Sequence, residues 1–235
     1  MAESRPDPHS EPKARDSVPP SGLPTRDTRE FAQKRARDTH QRLLEAASQV
    51  FTERGYDDCQ TPDIAARAGV SVGTFYRYFA DKRQAFIELV ERHLERSYES
   101  VMHKLTADAF ASTRTRTQRR AAVDQVVDIL FESTSENPKL TREFMAVAMR
   151  DSEIAKLRDD FEERGRVALA FLIRQSVPAE RITDTDAAAH VISVAAQEVA
   201  LVTAGLRGPP PTPRQARALR AALTDMLYRY AFGDE

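Results

Sequence analysis

A chain of 235 residues, 30% of them charged and with a formal net charge of −1, can bury one sizeable core or a small domain beside a larger one. That balance argues against wholesale coating of nucleic acid, which needs many neutralised phosphates, and leaves room for a local basic surface only. Charged residues break every apolar run before the roughly 18 residues of a membrane span, no secretory stretch opens the chain, and Cys59 stands alone. A reducing cytoplasm is the expected compartment.

Residues 1–25 carry Pro6, Pro8, Pro12, Pro19, Pro20 and Pro24 among polar residues, a composition expected to be disordered, and the extension is taken to residue 33. Arg26, Arg29, Lys34, Arg35 and Arg37, set against Asp27 and Glu30, read either as a solvated charge run or as a basic surface. From Thr39 onward apolar residues recur every three or four positions, which predicts an all-helical fold. The first helix is expected over about 39–54, burying Leu43, Ala46, Ala47, Val50 and Phe51, with Gly55 in the left-handed turn that ends it. Thr61 reads as the cap of a second helix, Pro62 as its first residue and Asp63 as its dipole partner; this helix ends at Gly69.

Ser71 is expected to cap a third helix through about Phe79, and Asp81 with Gln84 resembles a capping box for a long fourth helix reaching about Lys104. Further helices are predicted near 118–136, 138–150, 152–176, 184–206 and 212–232. Asn137-Pro138, Asp151, Val177-Pro178 and the run Gly208 to Pro211 separate them.

The segment TPDIAARAGVSVGTFYRYF, residues 61–79, has the punctuation of a helix-turn-helix: Gly69 turns the backbone, Val70 fills the corner and Ser71 starts the second helix. Phe75 and Phe79, four apart, are expected to face Ile64 and Ala65. The other face presents Gly73, Thr74 and Arg77 flanked by Tyr76 and Tyr78. Hydroxyls, a guanidinium and a glycine permitting close approach suit a major groove. The bland alternative is a polar face that meets only water.

Lys82 and Arg83 add a second clue, because cations in the first turn of a helix oppose its positive end unless an anion lies nearby. That anion is either a DNA phosphate, which would fix the docking register, or Asp81.

These stretches, LLEAASQVFTERGY, IAARAGVSVGTFYRYF and DKRQAF between Leu43 and Leu89, resemble the TetR family of bacterial transcriptional regulators. The resemblance implies a three-helix DNA-binding domain (34–83) joined by a long fourth helix to a helical ligand-binding and dimerisation domain (84–235). It also implies that Thr61, Ser71, Thr74, Tyr76, Tyr78 and Lys82 touch DNA, while Val72, Gly73 and Arg77 vary with operator sequence. The implied protein is a homodimeric repressor working on the nucleoid, reading a pseudo-palindromic operator and released by a small hydrophobic effector. No cofactor, metal or membrane partner is expected. The N-terminal extension is unusual for the family and is read as an arm for the minor groove.

Helix 184–206 is apolar or small nearly all round apart from His190, Gln197 and Glu198, which suggests burial on two sides, one against a partner subunit that Ala187, Ala188, Ala195 and Ala196 let approach. The last helix carries the stripe Leu219, Ala222, Leu223, Met226, Leu227 and Tyr230. Phe131, Phe144, Met145, Met149, Phe171, His190 and Gln197 are the residues expected to face an effector pocket.

Other motifs carry less. Gly69 to Gly73 spells a hydrolase nucleophile elbow, but that chemistry needs a strand before the serine, where IAARA has helical spacing; no catalytic residue is assigned. The histidines lack neighbours at metal-ligand spacing. Arg114, Arg116, Arg119 and Arg120 read as a solvated loop rather than an anion patch. Two competing readings are a helical scaffold with a vestigial DNA-binding motif and a hydrolase using Ser71.

Overall fold

A computed structural model of the chain describes residues 26–104, 115–135 and 137–233. The expectation of disorder over 1–25 lies outside the described residues. Every regular element among them is an α-helix: α1 Arg26–Arg54, α2 Thr61–Arg67, α3 Val72–Phe75, α4 Lys82–Lys104, α5 Arg116–Ser135, α6 Pro138–Ala148, α7 Ser152–Ser176, α8 Thr185–Thr203 and α9 Pro213–Phe232. From His40 on the chain forms one compact unit, distinct from the segment before it.

Helix α1 starts thirteen residues earlier than the apolar periodicity predicts, so residues 26–33 are helical and not part of a disordered extension. The stretch lacks Gly and Pro and is rich in Ala, Gln, Glu, Lys and Arg, whose intrinsic preference sustains a helix without a buried stripe. Phe31, Lys34, Arg35 and Arg37 on it are all exposed. At its other end the expected glycine stop is present: Gly55 has φ 84° and its amide bonds the Phe51 carbonyl at 2.9 Å.

Helix α2 begins one residue earlier than expected, at Thr61 itself. Gln60 takes the extended cap position, its amide donates to Asp63 Oδ2 at 3.0 Å, and Pro62 falls second rather than first. Arg54 then pins the other Asp63 oxygen at 2.7 Å. The end of α2 is a complete Schellman turn: Gly69, at φ 65°, donates to Ala66, and Val70 donates to Ala65. Val70 packs half-buried on the core, as the corner requires.

Ser71 caps α3, accepting from the Thr74 amide at 3.1 Å. The α-helix proper stops at Phe75, shorter than expected. Arg77 and Tyr78 bond carbonyls three residues back and Phe79 bonds Phe75, so a tighter turn carries the chain on the same path. Phe75 and Phe79 therefore still point inward together, fully buried with ring centroids 5.4 Å apart. Asp81 Oδ1 accepts from the Gln84 amide, while the Gln84 side chain reaches one residue further back than a standard box, to Ala80.

Three hydrophobic clusters follow among the described residues, the smallest formed by Tyr228, Ala231 and Phe232 near the end of α9. The first joins Phe51, Phe75, Phe79 and Phe86 with Leu43, Val50 and Ile64, and the ring of Phe86 meets Phe51 edge-on at 5.0 Å. It does not close at residue 83. Leu140, Phe144 and Val147 of α6 and Ile154 of α7 belong to the same cluster. The physical reason is size, because a head of about 45 residues buries too little apolar surface by itself.

The second cluster, from Val127, Ala170, Ile173, Ala188, Ala189, Ala196, Leu223 and Leu227, lies where α8 packs against α5, α7 and α9. Side chains cap the helices around it: Asn137 for α6, Asp151 for α7, Asp184 for α8 and Thr212 for α9.

Within the single chain α8 is buried on one side, not two. Ala188, Ala189, Ile192 and Ala196 face in, whereas Val191 and Val194 are 62% and 56% exposed. The α9 stripe splits likewise, with Leu223 and Leu227 inside and Leu219, Ala222, Met226 and Tyr230 outside. No helix among the described residues is long and apolar enough to cross a membrane.

Candidate nucleic-acid interface

The surface around α3 is built from the inside out. Buried Phe75 and Phe79 fix the rotation of the turn about its axis, and the Ser71 cap fixes its start. What remains outside is Val72, Gly73, Tyr76 and Arg77, all exposed, with Thr74 half-buried between them. A side chain at position 73 would meet nothing nearer than the Ser71 hydroxyl at 3.9 Å, so the surface above it is open. Thr74 Oγ1 lies 2.9 Å from Ser71 Oγ and accepts from Arg77 at 3.3 Å, a short polar chain that steadies the guanidinium. The Tyr76 ring stands edge-on against Phe75 at 5.7 Å. One aromatic and one cationic side chain, Tyr76 and Arg77, are thus presented outward on a backbone anchored by the buried phenylalanines and the Ser71 cap.

Three predicted residues sit differently. Thr61 is half-buried in the first turn of α2 instead of capping it. Tyr78 faces the core, half-buried, with its ring 5.8 Å from that of His40. The largest correction concerns Lys82. Its ammonium donates to the carbonyls of Tyr56, Asp57 and Cys59 at 2.9, 3.0 and 2.8 Å, and also lies over the Tyr56 ring. All three N–H groups of an ammonium are then occupied by the protein.

Arg83 is equally committed, to Asp151 and Glu153 of the α7 start, with Nε to Asp151 Oδ2 at 2.7 Å. The unfavourable placement of two cations in a helix's first turn is offset by acceptors from the fold. Sequence reasoning missed Asp57, Glu143, Arg150 and Asp151 as partners, because they lie 68 to 93 positions from what they bond.

The Arg83 guanidinium, with the amides of Ile154 and Glu153 in support, holds the Asp151 carboxyl at about 2, below its ordinary 3.8 and against the opposing pull of burial. A carboxyl lowered on folding stabilises the fold above its unfolded value of about 4, and that contribution is lost as pH falls toward 2. Asp151→Asn is therefore expected to lower the urea midpoint at neutral pH and to match the unmodified chain by about pH 2. An equal deficit at both pH values would show that the pairing plays no part in stability.

The seven residues expected to line an effector pocket do not converge. Phe144 belongs to the first cluster, and Phe131 is half-buried against the second. Met149 is 87% exposed, Phe171 is 55% exposed, and His190 and Gln197 are exposed too, Gln197 bonding Glu162 at 3.1 Å. Half-buried Met145 shares a helix with Phe144. The near-uniform apolarity of α8 hid which face turns inward, and that face is the alanine-rich one.

Leu94, Leu157, Phe161 and Arg164 line an open groove of about 760 Å³ between α4 and α7, which includes none of the seven. Arg119 and Arg120 lie over the rings of Phe232 and Tyr228, and Arg120 also bonds Asp225, so they hold α9; Arg114 is outside the described residues. Cys59 is fully buried and its thiol is pushed up to about 11 by burial, which leaves it no thiolate chemistry.

Comparison with known proteins agrees with this architecture. Residues 43–89 match the family profile described as "Bacterial regulatory proteins, tetR family", and residues 120–230 match "Tetracyclin repressor-like, C-terminal domain". The chain is 35% identical over 88 residues to the HTH-type transcriptional activator FasR of Mycolicibacterium smegmatis, covering 37% of this chain and 38% of FasR. It is 36% identical over 78 residues to the fatty acid metabolism regulator protein of Bacillus subtilis, covering 32% and 40% respectively. The matches thus span about two fifths of those relatives' lengths. Among solved structures, a transcriptional regulator from Saccharomonospora viridis in complex with choline superposes with a TM-score of 0.62 at 21% identity, covering 81% of this chain and 95% of that one. With the two profiles falling on the capped turn and on the helical body that carries it, the chain belongs to the TetR family of bacterial transcriptional regulators.

Proposed function

We propose that the chain is a homodimeric, sequence-specific DNA-binding regulator that represses transcription from a pseudo-palindromic operator until a small hydrophobic effector releases it. The observation that carries the reading is the α3 turn, where Tyr76 and Arg77 are exposed on a backbone locked by two buried phenylalanines and a serine cap. Exposed aromatic and cationic groups on so rigid a support suit base edges and phosphates in a major groove.

One short turn reads few bases, so two copies about 34–36 Å apart are needed for a pseudo-palindrome. Val191, Val194, Leu219, Met226 and Tyr230 support pairing, since they leave α8 and α9 with adjoining apolar exposure. The effector class is supported by a relative named for fatty acid metabolism, whose acyl chains are apolar. Among relatives, KstR is named a repressor and FasR an activator; a reporter placed behind the bound operator is expected to be silenced by this chain.

Footprinting of the purified chain on DNA flanking its own gene, with light scattering of the complex, tests the reading. A protected pseudo-palindrome occupied by two copies is expected. Uniform binding without a protected site, or a monomer that binds specifically, would overturn it.

A further inference from the structure

The chain from Tyr56 to Cys59 and the start of α4 are one rigid piece, because the Lys82 ammonium bonds three carbonyls of that loop. The helical body grips this piece at three separate places. Glu143 of α6 accepts the Tyr56 amide at 2.9 Å. Arg150, in the corner between α6 and α7, holds both carboxylate oxygens of Asp57 at 2.7 and 2.8 Å. Asp151, at the foot of α7, takes Arg83 through both of its oxygens at 2.7 and 2.8 Å, with Glu153 as a further acceptor at 2.8 Å.

Asp151 is itself immobilised, since its Oδ1 also accepts the amides of Glu153 and Ile154 as the cap of α7. Beneath these contacts Phe144, Val147 and Ile154 complete the core that contains Phe51 and Phe86.

An exposed ion pair such as that of Arg150 with Asp57 adds little to stability, but paired N–H···O bonds are strongly directional. The α4 helix and the non-directional apolar core shared with α6 and α7 leave the head room to bend and turn about one rod. Two further attachments off that rod remove both freedoms, so the angle of the α3 turn relative to α8 and α9 is set where the ion pairs lie.

We infer that Asp57, Arg83, Glu143, Arg150 and Asp151 form a positioning clasp that sets the head angle and thereby the half-site spacing the protein accepts, without touching DNA. The spacing part rests on the DNA-binding reading above; the angle does not. The clasp acts on geometry, so its loss widens spacing tolerance and leaves the bases read by Tyr76 and Arg77 unchanged.

The test uses the full chain carrying nitroxides at Ala66→Cys in α2 and Gln175→Cys in α7, both exposed positions, with buried Cys59 unlabelled. Labelled chain is diluted with unlabelled chain so that electron–electron distances are intramolecular. A single narrow distance is expected, broadened or displaced in Arg83→Gln with Asp57→Asn. Asp57→Arg with Arg150→Asp, which rebuilds one pair with reversed charges, is expected to narrow it again relative to Asp57→Arg alone.

In spacer-length selection the unmodified chain is expected to prefer one spacing about tenfold or more over neighbours one base pair away, and the double variant less than about threefold. An unchanged distance distribution overturns the clasp, and so does a variant that keeps its spacer preference or loses its half-site sequence preference. Failure of the unmodified chain to select any DNA overturns the DNA-binding reading instead, while the distance measurement still decides the head angle. If the double variant does not fold, Arg83→Lys, which keeps the charge but loses the fork, is expected to give intermediate broadening; none would refute the clasp.

Discussion

Alanine at Arg77 is expected to weaken operator binding by about 5- to 150-fold, the worth of one bidentate base contact of about 1–3 kcal/mol. Alanine at Tyr76 is expected to act in the same direction and the double change to leave non-specific binding only. Arg77 is exposed and makes no contact with the core, so its loss should hardly move the melting temperature, whereas Tyr76→Ala also loses an edge-on contact with Phe75 and is expected to lower it slightly. The distinguishing effect is on selectivity: Arg77→Ala should relax preference at one operator position in each half-site, whereas loss of a phosphate contact weakens all sequences alike. Competition gel-shift against operator and unrelated DNA measures it. An equal loss on both kinds of DNA, or no loss on either, would remove α3 from the role of reader.

The second large effect falls on stability and comes from a residue that sequence reasoning assigned to DNA. Lys82→Met keeps the apolar stem and deletes the ammonium, stripping three carbonyls in the Tyr56 to Cys59 loop of their donor. Hydrogen bonds from charged groups are worth about 1.5–3 kcal/mol, offset by about 0.3–1 kcal/mol for removing a cation from a helix N-terminus. A net loss of about 1–2 kcal/mol and a melting point lower by several degrees are expected. The salt dependence of operator binding should keep its slope. A slope smaller by about one unit with unchanged melting would instead place Lys82 on a phosphate.

Lys82 and Arg83 also show why part of the site was legible and part was not. Their oddity was visible in sequence, because cations at a helix start require an anion or an acceptor, and the structure supplies one for each. Which acceptor was invisible. The carbonyls that hold Lys82 lie 23 to 26 positions away and the carboxylates that hold Arg83 lie 68 and 70 away. The first separation is closed by packing within the head itself, the second only when α7 docks on it.

The outward placement of His190 and Gln197 has a related reason. A helix as uniformly apolar as α8 gives little pattern to orient it, so its sequence points those two residues inward, whereas Ala188, Ala189 and Ala196 occupy the interior. Tyr78 differs by geometry at short range: once α3 tightens after Phe75, the residue turns toward His40 and away from the outer face.

By itself the sequence determined whatever a few neighbouring residues can settle: the all-helical class, the Gly55 stop, the Gly69 turn, the Ser71 cap and the inward pair Phe75 and Phe79. Those features depend on backbone bonds and side-chain spacings within about one helical turn, and each residue type has one low-energy use there. Tertiary structure alone decided where the long charged side chains go and which faces of α8 and α9 remain open. Flexible side chains reach many positions, and only the packed body brings Glu143, Arg150 and Asp151 within hydrogen-bonding distance of the head.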